Sequence, residues 1–126
     1  MIKVQERRLK ALLALVVVVL HLILIENIII MIRQILNEIL IVCCEEFNVT
    51  IEEIQSKSRK QEFVYCRKAF CLIVKEKFDL KYEVIGRIIN RSINQVSVSV
   101  SNQPTDNYYN FLLSRIRLRL NSTTFL

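Results

Sequence analysis

A single glycine, Gly86, and a single proline, Pro104, serve all 126 residues. A β-sandwich or barrel turns about every ten residues and draws on both residue types there, so this chain excludes that class. Helices joined by short polar turns remain. One glycine also cannot build a phosphate-cradling loop, which removes the P-loop and dinucleotide-binding fingerprints. Histidine is equally scarce, with His21 alone inside an apolar run. The four cysteines, Cys43, Cys44, Cys66 and Cys71, follow no common zinc spacing. They read as buried free thiols of a reducing compartment, with no metal site. Glu45–Glu46 and Glu52–Glu53 have no histidine base, metal or nucleophile beside them in sequence and read as solvated helix-end acids. The chain is therefore expected to be a non-enzyme that needs no cofactor.

What is present is charge of one sign and a great deal of apolar side chain. Lys and Arg number 18 against 12 Asp and Glu, a formal net charge of +6, while 52% of residues are hydrophobic and the mean hydropathy is +0.33. Intrinsic disorder is excluded by that balance, and the length suits one small module. A cation excess on a small helical chain points to a polyanionic partner, either nucleic acid or an anionic membrane face.

Residues 1–10 carry Lys3, Arg7, Arg8 and Lys10 and lead into Ala11–Ile25, where His21 is the only polar residue. As a helix that run spans about 22 Å, so a full bilayer crossing must continue through Glu26 and Asn27 to Ile32. A dozen Leu, Ile and Val at about −0.5 kcal/mol each outweigh one Glu near +3 kcal/mol and comparable costs for His and Asn, so insertion is permitted. The alternative is a helix packed on the rest of the domain or against a second copy in a homo-oligomer. If the basic start stayed inside the cell, one crossing would carry everything after residue 32 outside. No small-x-small cleavage site follows the run, which argues against a removed signal peptide.

From Ile28 to Glu46, Arg33, Gln34, Asn37 and Glu38 fall opposite Ile32, Ile35, Leu36, Ile39, Leu40 and Cys43, the spacing of an amphipathic helix. Asn48 suits a left-handed stop, and Thr50 an N-cap for a short helix with Glu52 and Glu53 in its first turns. Gln55–Gln61 is a loop by composition, with Lys57, Arg59 and Lys60. Phe63–Phe78 is again helical, with Arg67 and Lys68 at its start and Lys75 and Lys77 near its end. Tyr82–Asn90 and Ser92–Asn102 then outline a helix-turn-helix about Asn90–Arg91, with Ser92 as N-cap, Val96 and Val100 inward, and Asn94 and Gln95 outward. Asn and Gln amides can pair bidentately with adenine in the major groove. The alternation of Val96 to Ser101 favours a strand by itself, and the helical surroundings are expected to override it. After Pro104, Thr105 is expected to cap a last helix with Tyr109, Leu112, Leu113, Ile116 and Leu120 on one side and Arg115, Arg117 and Arg119 on its surface.

In that order these features resemble domain IV of the bacterial replication initiator DnaA, a Trp-repressor-like DNA-binding module. Residues 47–54, 56–60, 66–68 and 85–91, followed by Val96, keep the family's words in register. The resemblance implies an all-α fold, a small helical bundle containing a helix-turn-helix, here with an additional very apolar N-terminal helix. It divides the chain into residues 1–28, a DNA-binding domain over 29–103 and a C-terminal amphipathic helix over 104–126. It also implies sequence-directed binding of double-stranded DNA through Lys57, Arg59, Lys60, Arg67, Lys68, Lys75, Arg91, Ser92, Ile93, Asn94 and Gln95. Arg59 takes the minor-groove position, Arg67 and Lys75 positions near the phosphates, and Ser92, Ile93 and Asn94 the base-reading positions. Ser92–Ile93 replaces the family's Asp-His, and Cys66 replaces the proline that opens the middle helix. A stand-alone, diverged relative of the kind carried by phages or mobile elements follows, cytoplasmic, acting in replication initiation or its regulation, with membrane contact through residues 11–32 as an added possibility. The rival class is a small membrane-anchored or protein-interaction helical protein without DNA readout.

Overall fold

The computed structural model describes residues 2–122. Among them there are six helices and no strand: α1 (Ile2–Phe47), α2 (Ile51–Gln55), α3 (Gln61–Phe78), α4 (Tyr82–Ile89), α5 (Ile93–Ser101) and α6 (Asn107–Asn121). The chain divides into two compact units within α1, one reaching to Gln34 and the other starting at Ile35. In the first unit every described side chain through Met31 is exposed, and the His21 ring bonds to the Val17 carbonyl through Nδ1 at 2.9 Å.

In the second unit the last third of α1 behaves as its pattern predicts: Leu36, Ile39, Leu40, Cys43 and Phe47 are buried. Asn48 stops the helix with a left-handed φ of 56°. Thr50 then opens α2 through a capping box, its Oγ1 accepting the Glu53 N–H at 3.1 Å while Glu53 Oε1 accepts the Thr50 N–H at 2.9 Å. The central element is α3, which packs on α2, α4, α5 and α6 and buries Phe63, Phe70, Ile73 and Val74. All four cysteines are buried and free of disulfides, and burial pushes the Cys71 thiol up to about 12.

α4 and α5 form the helix-turn-helix. Asn90 closes α4 with φ 57°, and the Arg91 N–H donates to the Gly86 carbonyl at 2.8 Å. The Gly86 Cα faces the inside of this turn. A Cβ there would fall well inside contact distance of the Arg91 carbonyl oxygen and 3.3 Å from Val96 Cγ2. Alanine would gain about 1 kcal/mol of helix propensity at an open site, so the sign of the effect reports the collision. Gly86→Ala is expected to destabilise the unit by about 1–3 kcal/mol. Each kcal/mol lowers the melting temperature of such a domain by about 4–8 °C. A circular-dichroism melt checks this, and an unchanged or higher midpoint contradicts the crowded turn.

The alternating Val-Ser segment is helical, as the surroundings demanded. A strand needs a partner to take its backbone hydrogen bonds. Here Ser92 instead starts a helix with a second capping box, its Oγ accepting the Gln95 N–H at 3.2 Å and Gln95 Oε1 accepting the Ser92 N–H at 2.9 Å. Val96 enters the core completely, Val100 is half-buried, and Val98 stays exposed.

Two local expectations are corrected. The last helix takes Asp106, not Thr105, as its N-cap residue, and the Asp106 carboxylate accepts a hydrogen bond from the Tyr65 hydroxyl at 3.2 Å instead of capping the backbone. Glu46 is not a solvated acid, and Glu45, though exposed, is ion-paired. Arg115 meets Glu46 at 3.0 Å, and Arg119 meets Glu45 at 2.6 Å and Glu46 at 3.1 Å, so α6 is clamped to the end of α1. The Glu46 side chain is only 7% exposed, which two arginines make tolerable. Tyr109, Leu112, Leu113, Ile116 and Leu120 form the expected buried stripe of α6.

Candidate nucleic-acid interface

The basic loop between α2 and α3 is held by its carbonyl groups. Arg67, on the second turn of α3, is 5% exposed and points back under the loop. Its Nε donates to the Ile54 carbonyl at 2.7 Å, its Nη1 to Ser58 at 2.9 Å, and its Nη2 to Glu53 at 3.2 Å and Ser56 at 3.0 Å. Burial, and secondly the charge of Arg91, lower the pKa of this guanidinium from its ordinary value, yet it remains protonated. Arg67 thus organises the loop through these bonds, unlike the exposed cations Lys57 and Arg59. Its position beside other cations in the sequence carries no sign of that difference.

A second set of bonds ties the loop to the helix-turn-helix. Arg91 donates through Nη2 to the same Ser56 carbonyl and through Nη1 to Asn90 at 2.9 Å. Gln55 Nε2 donates to the Ile88 carbonyl at 2.9 Å, and Asn90 Nδ2 to the Gln55 carbonyl at 3.3 Å. Loop and turn are therefore fixed to each other before any ligand arrives, which lowers the ordering cost of binding.

Between them lies an open groove of about 750 Å³ lined by Lys57, Arg59, Arg67, Arg91, Asn94 and Gln95. Its apolar lining is Val64 and Val98. Lys57 and Arg59 are exposed, and among the described residues no carboxylate pairs with either. Asn94 is exposed on the first turn of α5. Gln95 has spent its carbonyl oxygen on the capping box and keeps its amide N–H groups to donate.

The remaining expected residues lie elsewhere. Lys60 is exposed on the loop with its Nζ 5.8 Å from the Phe63 ring centroid. Ser92 is occupied as the N-cap. Lys68 reaches the other end of α5, where Nζ donates to the Asn102 carbonyl at 2.8 Å and supplies a cation to that helix C-terminus. Lys75 and Ile93 line a separate, smaller groove of about 330 Å³ together with Lys81 and Tyr82. Lys75 is already bonded to Asp79 at 2.6 Å and lies over the Tyr82 ring at 5.1 Å. The Asp79 hydrogen bond raises the pKa of Lys75 and lowers that of Asp79. Sequence reasoning missed Lys81, an exposed cation beside Ile93. Its signal was its place as the residue before α4, one position ahead of a helix that the pattern did locate.

The helix-turn-helix, its closed glycine turn and the attached loop agree with a comparison of the sequence with known families, in which residues 36–102 match the model of the bacterial DnaA protein helix-turn-helix. The chain belongs to that family. Chromosomal replication initiator proteins DnaA are its curated relatives: that of Mycoplasma genitalium is 32% identical over 57 residues, and that of Mycoplasma pneumoniae 33% identical over 57 residues, each match covering 45% of this chain. That of Oleidesulfovibrio alaskensis is 32% identical over 59 residues, 47% of this chain. The matched part spans 13% of the length of each of these relatives. No solved structure matches the chain. Within the DnaA-type module the matched residues run from the buried part of α1 to the C-cap of α5, so the family segment includes the whole groove.

Proposed function

We propose that this module binds double-stranded DNA, with α5 entering the major groove and the loop of residues 56–60 lying against the adjacent backbone and minor groove. The observation that carries the proposal is a groove that unites Lys57 and Arg59, neither paired with a carboxylate among the described residues, with the amides of Asn94 and Gln95. Phosphate contacts position a protein on a duplex, and contacts to base edges specify the sequence. In this reading Lys57, Arg59 and Lys60 position, with Lys81 on the far flank of α5. Asn94 and the free amide N–H groups of Gln95 read base edges, and exposed Ile93 offers an apolar contact to a thymine methyl. Arg67, Arg91 and Ser92 hold the elements that do so. DNA binding in replication initiation or its regulation, in the cytoplasm, is the role supported by the family and by the relatives' names.

Three to five phosphate contacts give a salt slope of about −3 to −4.5, so affinity falls roughly 10²-fold between 50 and 200 mM salt. Fluorescence anisotropy with labelled duplexes measures it, and binding insensitive to salt sinks the reading. In the same assay Asn94→Ala is expected to change the ranking of duplexes by about 1–3 kcal/mol at one base pair. The salt slope should not change. A uniform loss across all duplexes would count against base reading by this residue.

A further inference from the structure

The first unit carries a long run of exposed apolar side chains, and we infer that residues 11–32 of α1 are embedded in a lipid bilayer. From Ala11 to Ile32 only His21, Glu26 and Asn27 are polar, and none of the run's most apolar stretch is buried. As a continuous helix these residues span about 33 Å, matching a hydrocarbon core of about 30 Å.

Three observations select lipid over a second copy of the chain. Val16, Val17, Val18 and Val19 are consecutive and all exposed, and four consecutive helical residues face all sides of the helix. A dimer seam covers one stripe and leaves the others wet, whereas lipid covers every side. His21, the polar residue nearest the middle, bonds within the helix to the Val17 carbonyl, which satisfies one ring nitrogen without an outside partner. The charges bracket the run, with Lys3, Arg7, Arg8 and Lys10 before it and Arg33 just after, and such side chains reach the headgroup region from helix ends. Glu26 and Asn27 lie toward the C-terminal end, the less costly place for them.

This inference is argued from observations other than those that carry the DNA reading, and flotation tests it. The full chain is reconstituted with phosphatidylcholine vesicles and floated through a density gradient at high salt, conditions that remove electrostatic adsorption. Wild type is expected to float, and Val18→Asp with Leu22→Asp to lose nearly all flotation. A cooperative circular-dichroism melt of the double variant in solution shows that its second unit is folded. A wild-type chain that stays at the bottom of the gradient as a soluble oligomer overturns the inference, as does a double variant that floats equally well. A topology reporter fused after Leu126 then separates the two readings in cells. A reporter on the cytoplasmic side supports both together, and one on the outer side keeps the anchor while removing intracellular DNA as the ligand.

Discussion

Replacing Arg67 with methionine is expected to lower the stability of the second unit by about 3–5 kcal/mol, because the substitution leaves buried carbonyls without a donor. Methionine keeps much of the stem's volume and none of the five N–H donors. The carbonyls of Glu53, Ile54, Ser56 and Ser58 all lose a bond; Ser56 retains one from Arg91 and Glu53 retains those from the Ser56 N–H and hydroxyl, so the loss falls hardest on Ile54 and Ser58. Lysine cannot repair the site, since a single ammonium lacks the fork that serves acceptors lying in different directions. Urea unfolding measures the loss. A DNA titration made at a temperature where the variant is still folded then separates the roles. A loop organiser costs affinity through disorder of residues 56–60 and leaves the salt slope alone. A phosphate contact would instead reduce the slope by about 0.9 with stability intact, and that result would return Arg67 to the DNA surface.

Arg67 also shows where sequence reasoning stopped. Helix positions, the left-handed stop at Asn48, the caps at Thr50 and Ser92, the turn at Asn90–Arg91 and the buried stripe of α6 were all legible. Each depends on residue type at short range: a hydroxyl before a helix, an amide after one, an apolar residue every third or fourth position. The destination of a long cationic side chain has no such local signature. Arg67, Lys68 and Lys75 look alike in the sequence, yet one holds a loop by four carbonyls, one caps α5, and one is bonded to Asp79. Glu46 failed for the same reason, its arginine partners lying more than sixty residues further along the chain. The groove was legible to the extent that it depends on the loop and on the first turn of α5. The bonds that join those two elements, through Gln55, Asn90 and Arg91, were not.

The groove makes its largest demand on Lys57 and Arg59, and reversing both charges tests it most severely. Truncation of one such contact costs about 1–3 kcal/mol, and a glutamate adds repulsion from the phosphates to the lost attraction. Lys57→Glu with Arg59→Glu is therefore expected to weaken duplex binding by about 3–6 kcal/mol, roughly 10² to 10⁴-fold in Kd. Stability should change by no more than about 0.5 kcal/mol, because both side chains are exposed and the loop is held through its carbonyls by Arg67 and Arg91. Net charge alone cannot produce this result if the groove is the site. Lys3→Glu with Arg7→Glu makes the same change in total charge on exposed residues of the first unit, outside the family-matched segment, and assayed in detergent with the wild type it should cost only a few-fold. Equal losses from the two pairs would mean that the duplex responds to the overall field of a basic protein. A loss confined to Lys57 and Arg59 means that it is held by the loop that Arg67 organises, beside the amides of α5.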